Sequence, residues 1–218
     1  MLRIPLLLLT LVGFVPAIAF GEPMPTPTDW LEQLRLGGYV IVFRHGATVA
    51  DKTSMDPMSN SSGNPANSAK APSGERQLSD AGRAQARAVG EAMRKLKIPV
   101  GLVLTSPLQR AVDTGTLLGY GEVTTKAELA EAGSAISPEE NKRRADALRR
   151  WAALRPPADN NVIIVTHKPN LIEAFGKEWS DVREGEASVF EPDGNNGGYK
   201  LVLRVRAEEW SALLQATH

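Results

Sequence analysis

With 218 residues, 42% of them apolar and 23% charged, the chain reads as one ordinary soluble domain once any targeting segment is set aside. Its 25 basic and 25 acidic side chains cancel, which leaves no broad attraction for a polyanion and argues against a nucleic-acid partner. The absence of cysteine excludes disulfide staples, thiolate metal sites and a cysteine nucleophile, so an apolar core has to hold the fold.

The amino terminus has the pattern of a secretory signal at residues 1–19. Met1 to Arg3 is a short positive start, Ile4 to Val15 is nearly all apolar, and Ala17-Ile18-Ala19 offers a small-x-small cleavage site. Export to a periplasmic or extracellular location follows. The alternative is an uncleaved anchor reaching Phe20, which Gly13 and Pro16 interrupt and which is marginal for ~30 Å of hydrocarbon. Membrane contact is then expected through this segment alone. Residues 20–27 read as a Pro-rich tether, and residues 28–218 as a single domain.

Asp29-Trp30-Leu31-Glu32 opens a short capped helix that ends at Gly37-Gly38. Tyr39 to Phe43, Val100 to Thr105 and Val162 to Thr166 are short apolar runs rich in β-branched residues, as expected of strands buried on both faces. Between the first two runs, Thr48 to Gln77 is rich in Ser, Asn, Pro, Gly and Ala and has no periodic segment, which predicts a long functional loop or flap. Leu78 as a staple and Ser79 as N-cap then open a helix to about Lys97, with Val89, Met93 and Leu96 inward.

After the second run, Ser106-Pro107 looks like an N-cap and first-turn proline, with Leu108, Ala111, Val112 and Gly115 at helical spacing. Ser137-Pro138-Glu139-Glu140 caps a further helix whose stripe is Ala145, Leu148, Trp151 and Ala152. Ala187 to Phe190 and Tyr199 to Val205 flank a turn-rich segment and read as two late strands. Glu208 to Ala216 is a terminal helix with Trp210, Leu213 and Leu214 inward. Strands alternating with helices predict an α/β fold, a three-layer α/β/α sandwich around a mainly parallel central sheet.

Two of the three histidines, His45 and His167, follow apolar strand runs. In an open α/β sheet the carboxyl ends of the strands face the ligand crevice, so Arg44, His45, Ser106, Arg110 and His167 can meet there however far apart they lie in sequence. Arg44 brings a permanent forked cation, and His45 a nitrogen able to act as nucleophile, base or ligand. Arg110 falls in the first turn of its helix, beside unpaired backbone N–H groups that favour an anion. Any one of these alone reads as an ordinary salt-bridge or strand-end residue. Their recurrence after three strands points to a shared ligand, and two arginines with a helix terminus point to phosphate.

Arg44-His45-Gly46-Ala47-Thr48, Thr105 to Thr114 and Val165-Thr166-His167 together resemble the histidine phosphatase superfamily, the phosphoglycerate-mutase-like and acid-phosphatase group. Gln77 to Gly82 is similar to that family's lead into a helix. The resemblance spans about Gly38 to Val205. It implies that His45 attacks phosphorus and carries a phosphohistidine, that Arg44, Arg110 and His167 bind the phosphoryl oxygens with Thr48 as a weaker binder, and that no metal or other cofactor takes part. Fixed cationic donors suit that chemistry, because phosphoryl transfer spreads charge over peripheral oxygens.

The proton donor is where the branches diverge. The acid-phosphatase branch implies a His-Asp pair, but Lys168 follows His167 here, while Asn170 matches that segment's later Asn. Leu129-Ala130-Glu131 resembles the mutase-like setting and makes Glu131 the acid candidate, with Asp51, Glu75 and Glu173 behind it. If no carboxylate reaches the leaving atom, phosphoramidates such as phosphohistidine become the better substrates. The sequence therefore suggests an exported, metal-independent phosphatase acting on a phosphorylated small molecule or envelope component. A phosphomutase-type phosphotransferase and a noncatalytic phosphate-binding envelope module are the competing readings, and a metal hydrolase ranks below them, since no HExxH occurs.

Overall fold

A computed structural model describes residues 27–49, 75–193 and 197–216. The signal and most of the tether, Asp51 and the body of the insertion after Thr48 lie outside the described residues. Six helices and six strands follow in chain order among those described: α1 (Pro27–Leu36), β1 (Val40–Arg44), α2 (Asp80–Lys95), β2 (Val100–Thr105), α3 (Gln109–Leu118), β3 (Val123–Thr125), α4 (Pro138–Ala152), β4 (Asn161–Thr166), α5 (Lys168–Phe175), β5 (Ala187–Asp193), β6 (Gly198–Val205) and α6 (Ala207–Ala216). Pro27, expected at the end of the tether, already belongs to α1.

The strands form one sheet in the order β3-β2-β4-β1-β5-β6. β1, β2, β3 and β4 run parallel, and β5 lies antiparallel to both β1 and β6. β4 sits in the middle and is buried at all six positions, which is why its sequence is a continuous apolar run rather than an alternating one. Alternate residues still serve opposite faces. Ile41, Phe43, Ile163 and Val165 join one core with α1, α2, α3 and α6, whereas Val40, Val42, Val162 and Ile164 join a second core with α4 and α5. The molecule is thus the three-layer α/β/α sandwich that the alternating pattern predicts.

Several local signals hold. Ser79 caps α2 by accepting the Gly82 N–H at 3.0 Å, and Ser137 caps α4 by accepting the Glu140 N–H at 3.2 Å. The expected cap of α3 does not form. The helix begins two residues after Pro107 with Leu108 at the N-cap, and the Ser106 oxygen accepts the Leu108 N–H at 3.2 Å, ahead of the helix rather than within its first turn. Two elements were not foreseen, the three-residue edge strand β3 and the helix α5 that starts directly at the tip of β4.

Two glycines set how closely α2 lies against its neighbours. A Cβ at Gly82 would run into the Ala47 carbonyl oxygen, and one at Gly90 into that of Leu118. The first of these contacts seats the start of α2 against the loop that leaves β1. At the far end of the sheet, buried Asn161 donates to the carbonyls of Leu34 and Pro99 at 2.8 Å each and accepts the Tyr39 N–H at 3.0 Å. It ties together chain segments that have no ligand to bind.

Candidate active site

Three parallel strands end side by side, and backbone pairing runs one residue beyond their tips. His45 N–H donates to the Thr166 carbonyl at 3.0 Å and Ser106 N–H to that of Val165 at 2.9 Å. These bonds fix the entry of the β1, β2 and β4 loops on one edge, where His45, Arg110 and His167 are buried at 1%, 3% and 0% exposure. The His45 and His167 rings are neighbours, 5.3 Å between centroids. A cavity of about 340 Å³ opens above them, lined by Arg44, His45, Arg76, Glu131, Lys168 and Glu173, with Pro169 and Ile172 as its apolar wall. Arg110 and His167 are not among its lining residues but lie close enough to His45 to act on it electrostatically.

Each side chain is held by a specific partner. His45 Nδ1 lies 2.8 Å from the Gly46 carbonyl, which can only accept, so Nδ1 carries the proton and Nε2 keeps its lone pair. The Gly46 N–H in turn donates to Thr114 Oγ1 at 3.0 Å, and Thr114 donates to the Arg110 carbonyl at 2.7 Å, fastening the His45 loop to α3. Arg44 donates to the Val182 carbonyl at 2.8 Å and to Glu184 at 3.3 Å. Arg110 reaches Glu131 at 2.6 Å and Glu75 at 3.3 Å. Glu75 also accepts the N–H of Gln109, the first residue of α3, at 2.7 Å, so a carboxylate occupies the anion-favouring start of that helix.

The electrostatics keep both imidazoles neutral. Burial, followed by the charges of Arg110 and Arg44, lowers the His45 pKa to about 3 despite the opposing Gly46 hydrogen bond. His167 is held well below the ordinary imidazole value, first by burial and then by His45, Arg110, Arg76 and Arg44. Six buried side-chain polar atoms have no hydrogen-bond partner among the described residues. Three of them are Arg44 Nε, Arg110 Nε and His167 Nδ1. Unpaired buried polar groups are uncommon, and half of these belong to side chains gathered with His45 at the strand tips, where an oxyanion could satisfy them.

The model of the histidine phosphatase superfamily (branch 1) matches residues 40–135, the stretch that carries Arg44, His45, Arg110 and Glu131. Over that stretch the chain is similar to the histidine phosphatase superfamily. No curated protein matches it. Among solved structures it is similar to the protein histidine phosphatase SixA complexed with tungstate, at 16% identity and a TM-score of 0.52 over 78% of this chain and 98% of that one. It is also similar to the product of open reading frame Rv3214 from Mycobacterium tuberculosis, at 20% identity and a TM-score of 0.52 over 76% and 96%. At these identities the likeness is one of fold.

The loop that carries Glu131 is pinned from three elements. Asn170, 1% exposed at the third position of α5, accepts the Ala132 N–H at 3.0 Å and donates to the Ala130 carbonyl at 2.9 Å, so its amide brackets Glu131 on both sides. Arg144 donates to the Glu131 carbonyl at 2.6 Å, and Thr166 to that of Leu129 at 3.1 Å. Of the carboxylates considered from sequence, Glu131 and Glu173 line the cavity, and Glu75 pairs with Arg110. Lys168 also lines the cavity. Thr48, expected to bind oxygens, gives its hydroxyl to Glu184 at 3.0 Å, the same carboxylate oxygen that receives Arg44.

Three contributors escape a reading of the sequence. Arg76 stands directly before Gln77-Leu78-Ser79, and its position next to that family-like segment was the available signal. Arg144 and Glu184 act through partners distant in sequence and carry no local signature. Among the described residues no three His, Asp or Glu side chains gather as a metal-ligand group.

Proposed function

We propose that this chain hydrolyses phosphomonoesters through a phosphohistidine on His45. The observation that carries the reading is the set of orphaned buried nitrogens on Arg44, Arg110 and His167 beside a histidine whose Nε2 lone pair is free at neutral pH. The lone pair forms the N–P bond as the P–O bond to the leaving group breaks. Arg44, Arg110 and His167 hold the three peripheral oxygens, and Glu131 gives its proton to the departing oxygen. Water then attacks the phosphohistidine and yields its proton to the Glu131 carboxylate. The N–P electrons return to Nε2, and inorganic phosphate leaves. No metal or cofactor enters either step.

The leaving group lies against Pro169 and Ile172, with Lys168, Glu173 and Arg76 at the rim, which suits a small phosphorylated molecule or an exposed phosphate on an envelope component. Phosphoramidates fit the same cup and need less help from an acid. The signal-like pattern of Met1 to Ala19 supports action outside the cytoplasm. Mature protein recovered from an exported fraction with Phe20 at its amino terminus bears this out, and intact protein confined to the cytosol refutes it.

The decisive experiment follows phosphate release from alkyl, aryl and histidine phosphates in the presence of a chelator. The parent protein releases inorganic phosphate and is trapped by rapid quench as an acid-labile phosphoenzyme. His45→Ala does neither. Glu131→Gln slows alkyl phosphates by about 10²–10⁴-fold and activated aryl phosphates far less. Equal background turnover by parent and His45→Ala overturns the proposal in favour of a binding module, and transfer of phosphate to an organic acceptor overturns it in favour of a mutase.

A further inference from the structure

The two histidines at the strand tips have different tasks, and Ser106 decides how the second is performed. His167 Nε2 lies 2.7 Å from Ser106 Oγ, while its Nδ1 is buried without a partner. A hydroxyl can meet an imidazole nitrogen as donor or as acceptor, so the distance alone leaves two tautomers. Counting bonds removes the ambiguity. Ser106 is fully buried, and its oxygen already accepts the Leu108 N–H at 3.2 Å. The hydroxyl has a single proton, and among the described residues His167 Nε2 is the one remaining group within hydrogen-bonding distance.

If Nε2 carried the ring proton, Ser106 would accept twice and its own buried proton would point at no acceptor. Directed at Nε2, the same proton satisfies both groups. A neutral ring whose Nε2 accepts must carry its hydrogen on Nδ1.

We infer that Ser106 is a positioning residue that holds His167 as the Nδ1–H tautomer, turning its orphaned nitrogen into a hydrogen-bond donor for a phosphoryl oxygen. Both rings then bear the proton on the same atom and use opposite ones. The Gly46 carbonyl leaves His45 Nε2 bare for attack, whereas the Ser106 hydroxyl leaves His167 Nδ1–H for binding. In the other tautomer His167 would turn a lone pair toward an oxyanion. The identity of the ligand rests on the function proposed above, but the tautomer does not.

The test is long-range ¹H–¹⁵N correlation of the full-length protein at neutral pH. The chain has three histidines, so His45→Asn and His167→Asn assign the spectrum. His167 is expected with a protonated Nδ1 and a bare Nε2. Ser106→Ala shifts it toward Nε2–H, leaves the His45 pattern unchanged and weakens tungstate binding about tenfold, or about 1.4 kcal/mol. Ser106→Thr, which keeps the hydroxyl, keeps the parent tautomer. An Nε2–H signal for His167 in the parent overturns the inference, as does a Ser106→Ala protein with parent tautomer and parent affinity. The parent spectrum needs no variant, so misfolding of one cannot shelter the idea. Absence of turnover beside the expected tautomer would count against the hydrolase reading alone.

Discussion

At the scale of single residues, the nucleophile is kept ready by being kept uncharged. His45 has a folded pKa of about 3 against an ordinary value of 6.5, because burial and the guanidinium charges penalise the imidazolium. Between these values the unfolded chain binds a proton that the folded one refuses, so stability falls as the pH drops from about 6.5 toward 3. The full shift corresponds to about 4–5 kcal/mol. Urea titrations across that window should give a steep dependence for the parent and a shallower one for His45→Asn. Activity has the same sign: kcat/KM should show no acidic limb from His45 near pH 6.5, and a limb assigned there by the His45 variant would contradict the burial argument.

Elements act here by holding loops in place. Asn170 sits in the first turn of α5, yet its amide grips the backbone on either side of Glu131. Asn170→Ala leaves the buried Ala132 N–H without its acceptor, and a loss of about 1–3 kcal/mol in unfolding free energy is expected. Its kinetic effect should mimic Glu131→Gln, larger for alkyl than for activated aryl phosphates, and the double variant should be no slower than Glu131→Gln alone. Additive losses would show that the clamp does something else. Gly82 in α2 reverses a familiar rule. Alanine for glycine inside a helix usually gains up to about 1 kcal/mol, but here the added carbon meets the Ala47 carbonyl oxygen in the His45 loop. Gly82→Ala should lose about 1–3 kcal/mol and raise KM as the loop shifts. Thermal melts and steady-state kinetics check both halves.

For the molecule as a whole, one core lies on each face of the sheet, and the terminal helix closes one of them. Trp210 of α6 is fully buried and meets Trp30 edge-on at 6.2 Å between centroids. Trp210→Ala should cost about 3–5 kcal/mol while leaving kcat unchanged well below the melting transition, because no residue of α6 lines the cavity. Unfolding curves paired with low-temperature kinetics measure this.

Much of the plan was legible because parallel strands buried on both faces are written as unbroken apolar runs, and the polar residues just after them mark the ligand edge. Tyr39–Phe43, Val100–Thr105 and Val162–Thr166 led in that way to His45, Arg110 and His167. β3 was hidden because three residues at a sheet edge hold no period, and α5 because its eight residues start only two positions after β4 ends. Ser106 departs from the Ser-Pro capping signal because the helix starts later, at Gln109, so the Ser106 oxygen accepts the N–H of Leu108 ahead of it while the hydroxyl meets the buried His167. Arg144 and Glu184 could not be found at all, since what they do is set by neighbours that the fold supplies.

The reversed direction of β5 has its own outcome. A strand running with β1 would send its exit to the ligand edge, whereas β5 delivers its approach, the stretch from Val182 to Glu186. That approach accepts from Arg44 at Val182 and Glu184, and its Gly185 N–H binds the His45 carbonyl at 2.9 Å. Substitutions in this incoming stretch can therefore retune the Arg44 fork while β1 itself stays untouched, an adjustable screw on an otherwise rigid frame.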